Sequence, residues 1–542
     1  MAMADGADLF LSLPDDAFSL IAAHLGHPRH LLALSLSSRR LYQPLLSSPS
    51  AWLSLASSNT SSISPSHLHS WHSLASLSYP SLCRFLFTVS RLLSLWAHQN
   101  PELGNLVFPI WGFVSLVFVR IIPQEVSKNL AFSPVMEIHC DVDGAPSLFF
   151  LHGEAGTIHA GSIFSVIPSD PTVLLLEANF SRNSSLNPSL FSKLAFGDRR
   201  RLLDFLSSKS AMKLPSDLES APIFPRSDAD FDILSRRREA LISMYKAIRG
   251  GVIDCAIVES SQCCSSLSHN RSFDGDGKRK KLSSYVKDGI KQLIGRSISS
   301  SSNTNGENKH LPLHEFLKTG SGDFIGLSIR AIHTRLTSYR AWPNMHENRF
   351  ALYKLHLNGP EPNREFSGLW GGSFGWPPSL PGQDKPGKAL FLLLLSYEES
   401  DTGLILVGTK VLEGTHYVLH PNGSSMFIAN MEEPSTDVFP WEMEISVNCG
   451  FTGEGISSGY GFRYPGSKPG SLFSLRNGLL AFVWRESKAV LTLERIDLSE
   501  MVAKGEQVPA LPAVSNFTYL TKSYSNVFMG FQSNLSGTSS PR

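Results

Sequence analysis

The sequence predicts an α+β protein in which N-terminal helices are followed by a β-rich region with a barrel-like or sandwich-like fold. Near the start of the chain, apolar residues recur at intervals of three and four, which is typical of an amphipathic helix. Farther along, short apolar stretches alternate with Gly and Pro, which is typical of strands separated by turns. A chain of 542 residues is long enough for roughly two to four such domains.

Residues 9–55 contain the helical pattern. A Leu13-Pro14 pair precedes two acids, and Pro is well tolerated in the first turn of a helix. Apolar residues then follow at helical spacing as far as Leu25, where a Gly-His-Pro sequence ends the helix. About 50 residues rarely fold alone. The stretch therefore either docks on a partner through an outer apolar face or caps the chain's own core.

A second, Leu-rich helix follows with an Arg-Arg pair, and a Trp comes shortly after a Ser-Pro sequence. This order resembles the F-box. The residues that carry the resemblance are Leu13, Pro14, Ile21, Leu25, Leu32, Arg39, Leu41 and Trp52. The resemblance implies that residues 9–55 bind Skp1, the adaptor of a cullin-based ubiquitin ligase, and that the rest of the chain is a substrate receptor.

Residues 82–258 are predicted to mix helices and strands. The apolar spacing predicts a helix over 82–99 and β structure over 106–122. Shorter strands are predicted at 147–152, 162–167 and 173–177. Residues 106–119 are the best membrane candidate, but about 20 apolar residues are needed to span a bilayer. A buried core element is therefore the preferred interpretation.

The clearest predicted helix covers residues 228–249. Apolar residues follow a three-to-four spacing along it, and Gly250-Gly251 ends it. It carries three consecutive arginines, Arg236 to Arg238. We expect these arginines to lie on the solvated outer face of the helix.

Residues 259–310 form a Ser-rich linker or insertion that contains the basic cluster Lys278-Arg279-Lys280-Lys281. Such a cluster is consistent with nuclear import, with phosphate binding, or with an ordinary linker. We expect the protein in the nucleus, the cytoplasm or both. Residues 507–542 are polar and are predicted to be a flexible tail.

Residues 326–498 are predicted to be a β domain. A closed or nearly closed antiparallel barrel, or a sandwich, would leave few open edges. The candidate strands are 350–357, 389–396, 404–410, 425–429 and 479–484. Two Gly-rich motifs lie among them, at 368–375 and 450–462. They indicate either tight turns of a barrel or the rim of a peptide-binding cleft.

The order of these motifs over residues 348–496 resembles the cyclin-D1-binding-type domain that follows an F-box in a small family of ubiquitin-ligase receptors, with plant members closest. The shared features are a Gly-Leu-Trp-Gly-Gly motif, a strand ending in Gly-Thr-Lys, and a late Gly-Tyr-Gly-Phe. Aromatic residues dominate many protein contacts. The candidate substrate contacts are Trp370, Phe374, Trp376 and Tyr460.

Several function classes are disfavoured. The net charge is +1, which indicates no general affinity for nucleic acid. The 6 Cys are too scattered for a disulfide framework, and the first residues lack a secretory signal. His67, His69 and His72 lack a fourth ligand for a closed metal site. No cofactor motif occurs, and the Gly-Ile-Ser-Ser-Gly match to a hydrolase elbow lacks a helix-forming continuation.

The resulting hypothesis is a non-catalytic substrate receptor of a Skp1–cullin–F-box ubiquitin ligase, with a protein substrate. Neither nucleic acid nor a membrane is an expected partner. The alternative is a β-barrel that binds a small ligand, or an uncharacterised enzyme, with helices that only cap it.

Overall fold

The computed structural model describes the greater part of the chain from Ser12 to Gln507. The described residues are 12–37, 39–60, 63–98, 106–123, 130–152, 157–165, 172–179, 212–222, 224–250, 324–330, 349–375, 389–401, 403–413, 425–440, 446–456 and 466–507. They form an N-terminal group of helices, a curled β-sheet and a closed β-barrel. This arrangement confirms the predicted α+β class.

Six helices open the described chain. They are α1 (Asp15–Leu25), α2 (Pro28–Ser37), α3 (Arg39–Ser47), α4 (Pro49–Asn59), α5 (Pro65–Ala75) and α6 (Tyr79–Ser90). Ser residues begin three of them: Ser48, Ser64 and Ser78 each accept a hydrogen bond from a backbone N–H in the first turn, and each is followed by Pro within two residues. Ser at the N-cap and Pro in the first turn are both favourable. The Ser-rich sequence therefore encodes helix starts here.

The curled sheet contains strands from two distant parts of the chain. They are β1 (Leu95–His98), β2 (Leu106–Trp111), β3 (Ser115–Pro123), β4 (Leu130–His139), β5 (Leu148–His152), β6 (Thr157–Ser165), β7 (Val173–Asn179), β8 (Met212–Lys213), β9 (Phe324–Arg330) and β10 (Arg349–Leu355). Between β8 and β9 lie the short helix α7 (Ser216–Glu219) and the long helix α8 (Asp230–Gly250).

The main strand order of this sheet is β4-β3-β2-β1-β10-β7-β9-β6-β5. A further pairing of β4 with β5 joins the two ends of that order, so the sheet curls back on itself. All these pairs are antiparallel except β7 with β9. Closure removes the exposed edges that would otherwise invite aggregation.

One apolar cluster fills the inside of the curled sheet. It unites buried residues of the helices, including Trp52, Trp71 and Phe85, with inward residues of the strands, including Phe118 and Phe149. Trp71 of α5 lies edge-on to Phe113 in the β2–β3 turn, with ring centroids 6.3 Å apart. The N-terminal helices therefore share a core with the sheet.

The barrel follows the sheet and is built from consecutive strands. They are β11 (Gly368–Gly375), β12 (Ala389–Ser400), β13 (Gly403–Glu413), β14 (Ser425–Pro434), β15 (Val447–Ile456), β16 (Ser467–Leu475), β17 (Leu480–Trp484) and β18 (Val490–Arg495). Each strand pairs antiparallel with the next, and β18 pairs with β11 to close the barrel. Its interior is mainly apolar and aromatic, with Trp370, Phe427, Phe482 and Trp484 buried in one cluster.

The sheet and the barrel are in direct contact. Leu95, Ile121 and Leu355 of the sheet cluster with Leu392 and Leu412 on the outside of the barrel. After the barrel, α9 (Leu498–Lys504) packs on this contact, and β19 (Glu506–Gln507) pairs in parallel with β4. The last described residues thus return to the sheet.

Two sequence predictions change in this structure, and the preferred interpretation of residues 106–119 as a buried core element is confirmed. Helix α6 ends at Ser90, and the predicted helix over 82–99 is wrong for residues 95–98, which form β1 because they pair with β10. The membrane candidate 106–119 forms the hairpin of β2 and β3. Within the described ranges, no helix is long and apolar enough to cross a membrane. Strands β9 and β10 begin the predicted 326–498 region yet belong to the curled sheet.

Candidate functional site: the outer face of the helices and the second end of the barrel

Helices α1 to α3 have one face toward the core and one toward solvent. Leu31 and Leu45 are buried in the main core. On the same three helices, Leu20 is 64% exposed and Leu36 is 72% exposed, and Leu32 and Tyr42 are exposed as well. We call these four residues, Leu20, Leu32, Leu36 and Tyr42, the outer face. Large apolar side chains exposed to solvent on neighbouring helices are candidates for contact with a partner.

The residues predicted to bind Skp1 fall into three groups. Pro14 and Leu32 are exposed, and Leu13, Ile21 and Leu25 are half-buried. Trp52 is 1% exposed, and its Nε1 donates a hydrogen bond to the Leu45 carbonyl at 3.0 Å. Trp52 therefore supports the helices from within. Leu41 lies on α3, but its side chain is outside the described set.

The first end of the barrel is the end where β11 begins and β18 ends. There Phe366, two residues before β11, packs in the barrel core. Trp370 Nε1 donates to the Phe366 carbonyl at 2.8 Å. The Arg495 guanidinium lies 4.7 Å from the Trp370 ring and donates to the carbonyl of Ser367 at 2.7 Å. These contacts hold Phe366 and Ser367 at the first end.

At the second end, β11 finishes at Gly375 and β12 starts at Ala389. Phe374 is the last but one residue of β11 and pairs with Ala389 and Leu491. Trp376 follows β11 directly, and Tyr460 follows β15, but both lie outside the described residues. Of these three candidate contacts, the structure therefore places Phe374 at the second end of the barrel.

Trp370 belongs to a different place from the other candidates. It is 2% exposed and packs in the barrel core. Its position in a Gly-rich motif suggested a surface contact. Instead, its ring packs in the barrel core and its Nε1 donates to the Phe366 carbonyl. Its role in this structure is therefore to support the barrel.

Lys410 is a residue that the sequence did not single out. It is fully buried and pairs with Leu393, an inward residue of β12, near the second end. Paired residues on neighbouring strands point to the same side of a sheet. Lys410 therefore points into the barrel. A Lys in a strand usually indicates a solvated position, so the sequence pattern did not predict the burial of Lys410.

The structure also contains a buried charged cluster in the curled sheet. The Glu137 carboxylate is fully buried and receives Arg237 Nη1 at 2.9 Å and Nη2 at 2.5 Å. Nε2 of His139 lies 3.0 Å and Nε2 of His152 lies 2.6 Å from its two oxygens. Burial opposes the charge, but Arg237 and the two hydrogen bonds hold the pKa of Glu137 well below its usual value. The carboxylate is therefore ionised, and both imidazoles donate to it.

This cluster corrects the prediction for Arg236 to Arg238. Arg236 is exposed, but Arg237 and Arg238 are buried. They lie on the same side of α8 as Leu234 and Leu241, which pack in apolar clusters. Buried charges require partners, and Glu137 and the Cys140 carbonyl supply them. The sequence could not show these partners, because they lie about a hundred residues away along the chain.

The three histidines of α5 do not form a metal site. His69 hydrogen-bonds to Tyr79, and the His72 ring stacks on the same Tyr79 with centroids 3.8 Å apart. Among the residues that the structure describes, no group of His, Cys, Asp and Glu is arranged to hold a metal ion.

Comparison with known proteins identifies the family. An F-box protein of Arabidopsis thaliana is 41% identical over 568 aligned positions, which cover 96% of this chain and 96% of that protein. A putative F-box protein of the same plant is 37% identical, covering 96% of this chain and 97% of its own length. A probable F-box protein is 34% identical and covers 98% of both chains. No protein-family model matches the chain.

This chain belongs to the F-box protein family. The family assignment agrees with the sequence resemblance that residues 9–55 carry. In this F-box protein, the exposed residues Leu20, Leu36 and Tyr42 were not among the predicted contacts, because those contacts were chosen by resemblance to the F-box motif. The signal that could have found them is a second apolar stripe on the opposite side of α1 and α2.

Proposed function

We propose that this F-box protein is the substrate-recognition subunit of a Skp1–cullin–F-box ubiquitin ligase, with the outer face as its Skp1 contact. The observation that carries the proposal is the exposure of Leu20, Leu32, Leu36 and Tyr42 on helices whose other face is packed in the core. Burying such side chains against a partner contributes about 1.5–3 kcal/mol each. Pro14 and Arg39, exposed on the same helices, complete the candidate surface.

In this role the chain performs no chemistry itself. Partner enzymes would transfer ubiquitin to a substrate lysine. The receptor would contribute proximity and orientation, which turn a rare encounter into an effectively intramolecular step. As part of the proposal, we expect the protein to act in the nucleus, the cytoplasm or both. The basic cluster at Lys278 to Lys281 lies outside the described residues.

A pull-down with purified Skp1 tests the docking proposal. The double substitution Leu20→Asp/Leu36→Asp adds two charges to the outer face without touching the buried stripe, and we expect at least a hundredfold weaker binding, roughly 3 kcal/mol. Val142→Asp is the matched control, because Val142 is also 72% exposed but lies in the β4–β5 turn. Equal Skp1 binding by all three proteins would refute the assignment of the outer face.

We further propose that the second end of the barrel holds a segment of the protein substrate. At the first end, Phe366 packs in the barrel core and Arg495 donates to the Ser367 carbonyl, so these groups already have partners within the protein. At the second end, Phe374 is the last but one residue of β11, which finishes at that end, and the other two predicted contacts, Trp376 and Tyr460, lie outside the described residues. The resemblance of residues 348–496 to a cyclin-D1-binding-type domain also favours a protein ligand.

Proximity labelling in cells, with and without proteasome inhibition, tests this part. Candidate substrates are proteins that accumulate with the intact chain under inhibition and are lost with Phe374→Ala/Tyr460→Ala. Val438→Ala is the matched control, because Val438 is an exposed apolar residue outside the second end. An unchanged set of labelled proteins in the Phe374 and Tyr460 variant would exclude the second end as the substrate site.

The alternative of a small-ligand barrel receives less support from the packing. Large aromatic side chains occupy the barrel interior: Phe427 and Phe482 stack with centroids 5.0 Å apart, and Trp484 lies edge-on to Phe482. A small ligand inside the barrel would have to displace these buried rings, each of which contributes several kcal/mol, about 3–5, to stability.

A further inference from the structure

Helix α8 contacts both the N-terminal helices and the curled sheet. At its start, the Phe231 ring is edge-on to His67 of α5 at 5.0 Å and to Phe113 of the β2–β3 turn at 5.9 Å. One turn later, the Ser235 hydroxyl donates to the Leu74 carbonyl at the end of α5. Farther along, Leu241 packs with Phe150 of β5. The helix thus contacts both parts of the molecule along its length.

The middle of α8 is where its charged contacts lie. Arg237 makes two hydrogen bonds to Glu137, and Arg238 donates to the Cys140 carbonyl at 2.8 Å. Glu137 accepts four hydrogen bonds from three side chains of two strands and one helix, so both of its oxygens are saturated. Such a network is satisfied in one arrangement of the helix and in no neighbouring one.

We propose that Glu137 and Arg237 fix the register of α8 on the sheet, and that α8, through its contacts with α5, helps to fix the orientation of the N-terminal helices relative to the barrel. Both are positioning residues. The inference rests on the proposed function in one respect, namely that the N-terminal helices carry the Skp1 contact whose orientation matters for ubiquitin transfer.

The physical reason is that apolar contacts and charged contacts respond differently to a shift. Apolar side chains keep most of their burial when a helix slides or rotates slightly, whereas a bidentate guanidinium–carboxylate pair loses both hydrogen bonds. Replacing a buried ion pair by well-packed apolar groups is often neutral or stabilising, and buried polar groups in some systems specify one register at a cost in stability. Stability and register can therefore be separated by mutation.

The separating variant is Glu137→Gln/Arg237→Met. It leaves no unpaired buried charge, and the new amide can still serve His139 and His152 as a hydrogen-bond partner. We expect an unfolding temperature within a few degrees of the parent, because no charge is left unpaired. A purely structural role predicts that this variant also keeps the parent geometry, whereas a positioning role predicts that it does not.

Distances between spin labels in the full chain measure the geometry. Labels on the exposed residues Lys246 of α8, Gln43 of α3 and Glu486 of the barrel give two pairs that share the barrel label. An encoded ketone amino acid carries each label, which leaves the 6 Cys unmodified. We expect one narrow distance for each pair in the parent and at least about a twofold broader distribution for both pairs in the double variant.

Narrow parent-like distances for both pairs in the double variant would overturn the proposal. Broadening for Lys246 alone would overturn the part that concerns the N-terminal helices. Should the double variant not fold, Arg237→Lys serves instead, because it keeps the charge but lacks the bidentate geometry; unchanged distances in that protein contradict the role of Arg237. The measurement needs neither Skp1 nor substrate, so failed Skp1 binding by the parent would refute the proposed function without altering this result.

Discussion

The curled sheet and the barrel differ in how their strands are connected and in what they bury. Barrel strands pair in chain order, and a cluster of apolar and aromatic side chains fills their interior. The sheet pairs strands from before residue 180 with strands from after residue 323, and it buries an ionised carboxylate with its partners. The N-terminal helices also complete the core of the sheet, whereas the barrel interior is filled by its own strands and adjoining residues such as Phe366.

This difference teaches where each structure is vulnerable. A barrel of consecutive strands depends on volume, because its interior is closely packed. A sheet with a buried charged cluster depends on pairing, because each lost partner leaves a charge or a donor unsatisfied. The predictions below test this contrast, beginning with the largest expected effect.

Phe482→Ala should produce the largest loss of stability. Phe482 is fully buried between Phe427 and Trp484, with ring centroids 5.0 Å away on each side. A Phe→Ala cavity costs about 3–5 kcal/mol, and lost aromatic contacts add to it, so we expect about 5 kcal/mol. Urea unfolding followed by Trp fluorescence measures the change, with exposed Val438→Ala as control. A loss below about 2 kcal/mol would show that the barrel collapses around the cavity.

Glu137→Leu should have the next largest effect, for the opposite reason. Leu fits an apolar site, but the substitution leaves the Arg237 charge and two imidazole donors without their acceptor. Removing one partner of a buried pair costs about 3–5 kcal/mol, so we expect about 4 kcal/mol in the same urea assay. The control is Glu399→Leu, because Glu399 is exposed. A neutral result for Glu137→Leu would mean that water reaches the cluster, and the contrast with the barrel would fail.

The two β structures should also respond oppositely to pH. Burial lowers the pKa of His159 in the sheet to about 4, with a smaller effect of His152. The folded protein therefore binds fewer protons than the unfolded chain between about pH 6.5 and 4. The contribution of the neutral, buried His159 to the free energy of unfolding is therefore complete above about pH 6.5. About 3 kcal/mol of it is lost as the pH falls to about 4. Urea unfolding at several pH values measures this effect. The free energy of unfolding of the parent, minus that of His159→Gln, should become smaller as the pH falls from about 6.5 to about 4.

In the barrel, burial raises the pKa of Glu398 to about 7. Here the folded protein binds more protons than the unfolded chain, so the contribution is present below pH 4.5 and is lost as pH rises through about 7. Glu398→Gln should therefore gain stability relative to the parent at pH 8 and not at pH 4. If Glu398→Gln and His159→Gln showed trends of the same sign, the contrast between the two structures would not extend to protonation.

The contrast between the barrel and the curled sheet also explains which elements could be predicted from the sequence. Barrel strands such as β12 and β17 begin at the predicted residue or one residue later, because apolar alternation and Gly or Pro turns are local signals. The helix predicted over 228–249 appears as Asp230–Gly250. Strand β1 was missed, because its pairing with Leu355 of β10 joins residues that are 260 positions apart. Strand pairing at that distance leaves no periodic trace in a single sequence.

The candidate sites show the same limit at the level of single side chains. The helices of residues 9–55 were predictable. The burial of Trp52 in the core, instead of at a partner contact, was not predictable, since both roles favour an aromatic residue. Arg237 and Lys410 appeared solvated by residue type, because their burial depends on partners or neighbours that folding supplies. Residue type and spacing therefore predict elements well and exposure less well.

Ser64→Ala should give the smallest of these effects, and it tests the dependence of the sheet on the helices. The Ser64 hydroxyl accepts the His67 N–H at the start of α5, the helix that places Trp71 in the core of the sheet. Removing an N-cap hydroxyl costs about 1 kcal/mol. Ser70→Ala on the same helix is the control, because the Ser70 hydroxyl donates to the Ser66 carbonyl within the helix, and a change within about 0.5 kcal/mol is expected.

Hydrogen exchange gives the regional readout: Ser64→Ala should accelerate exchange in α5 and at β2 and β3, and leave β16 and β17 as in the parent. Acceleration in β16 and β17 to the same degree would mean that the barrel, too, depends on the helices.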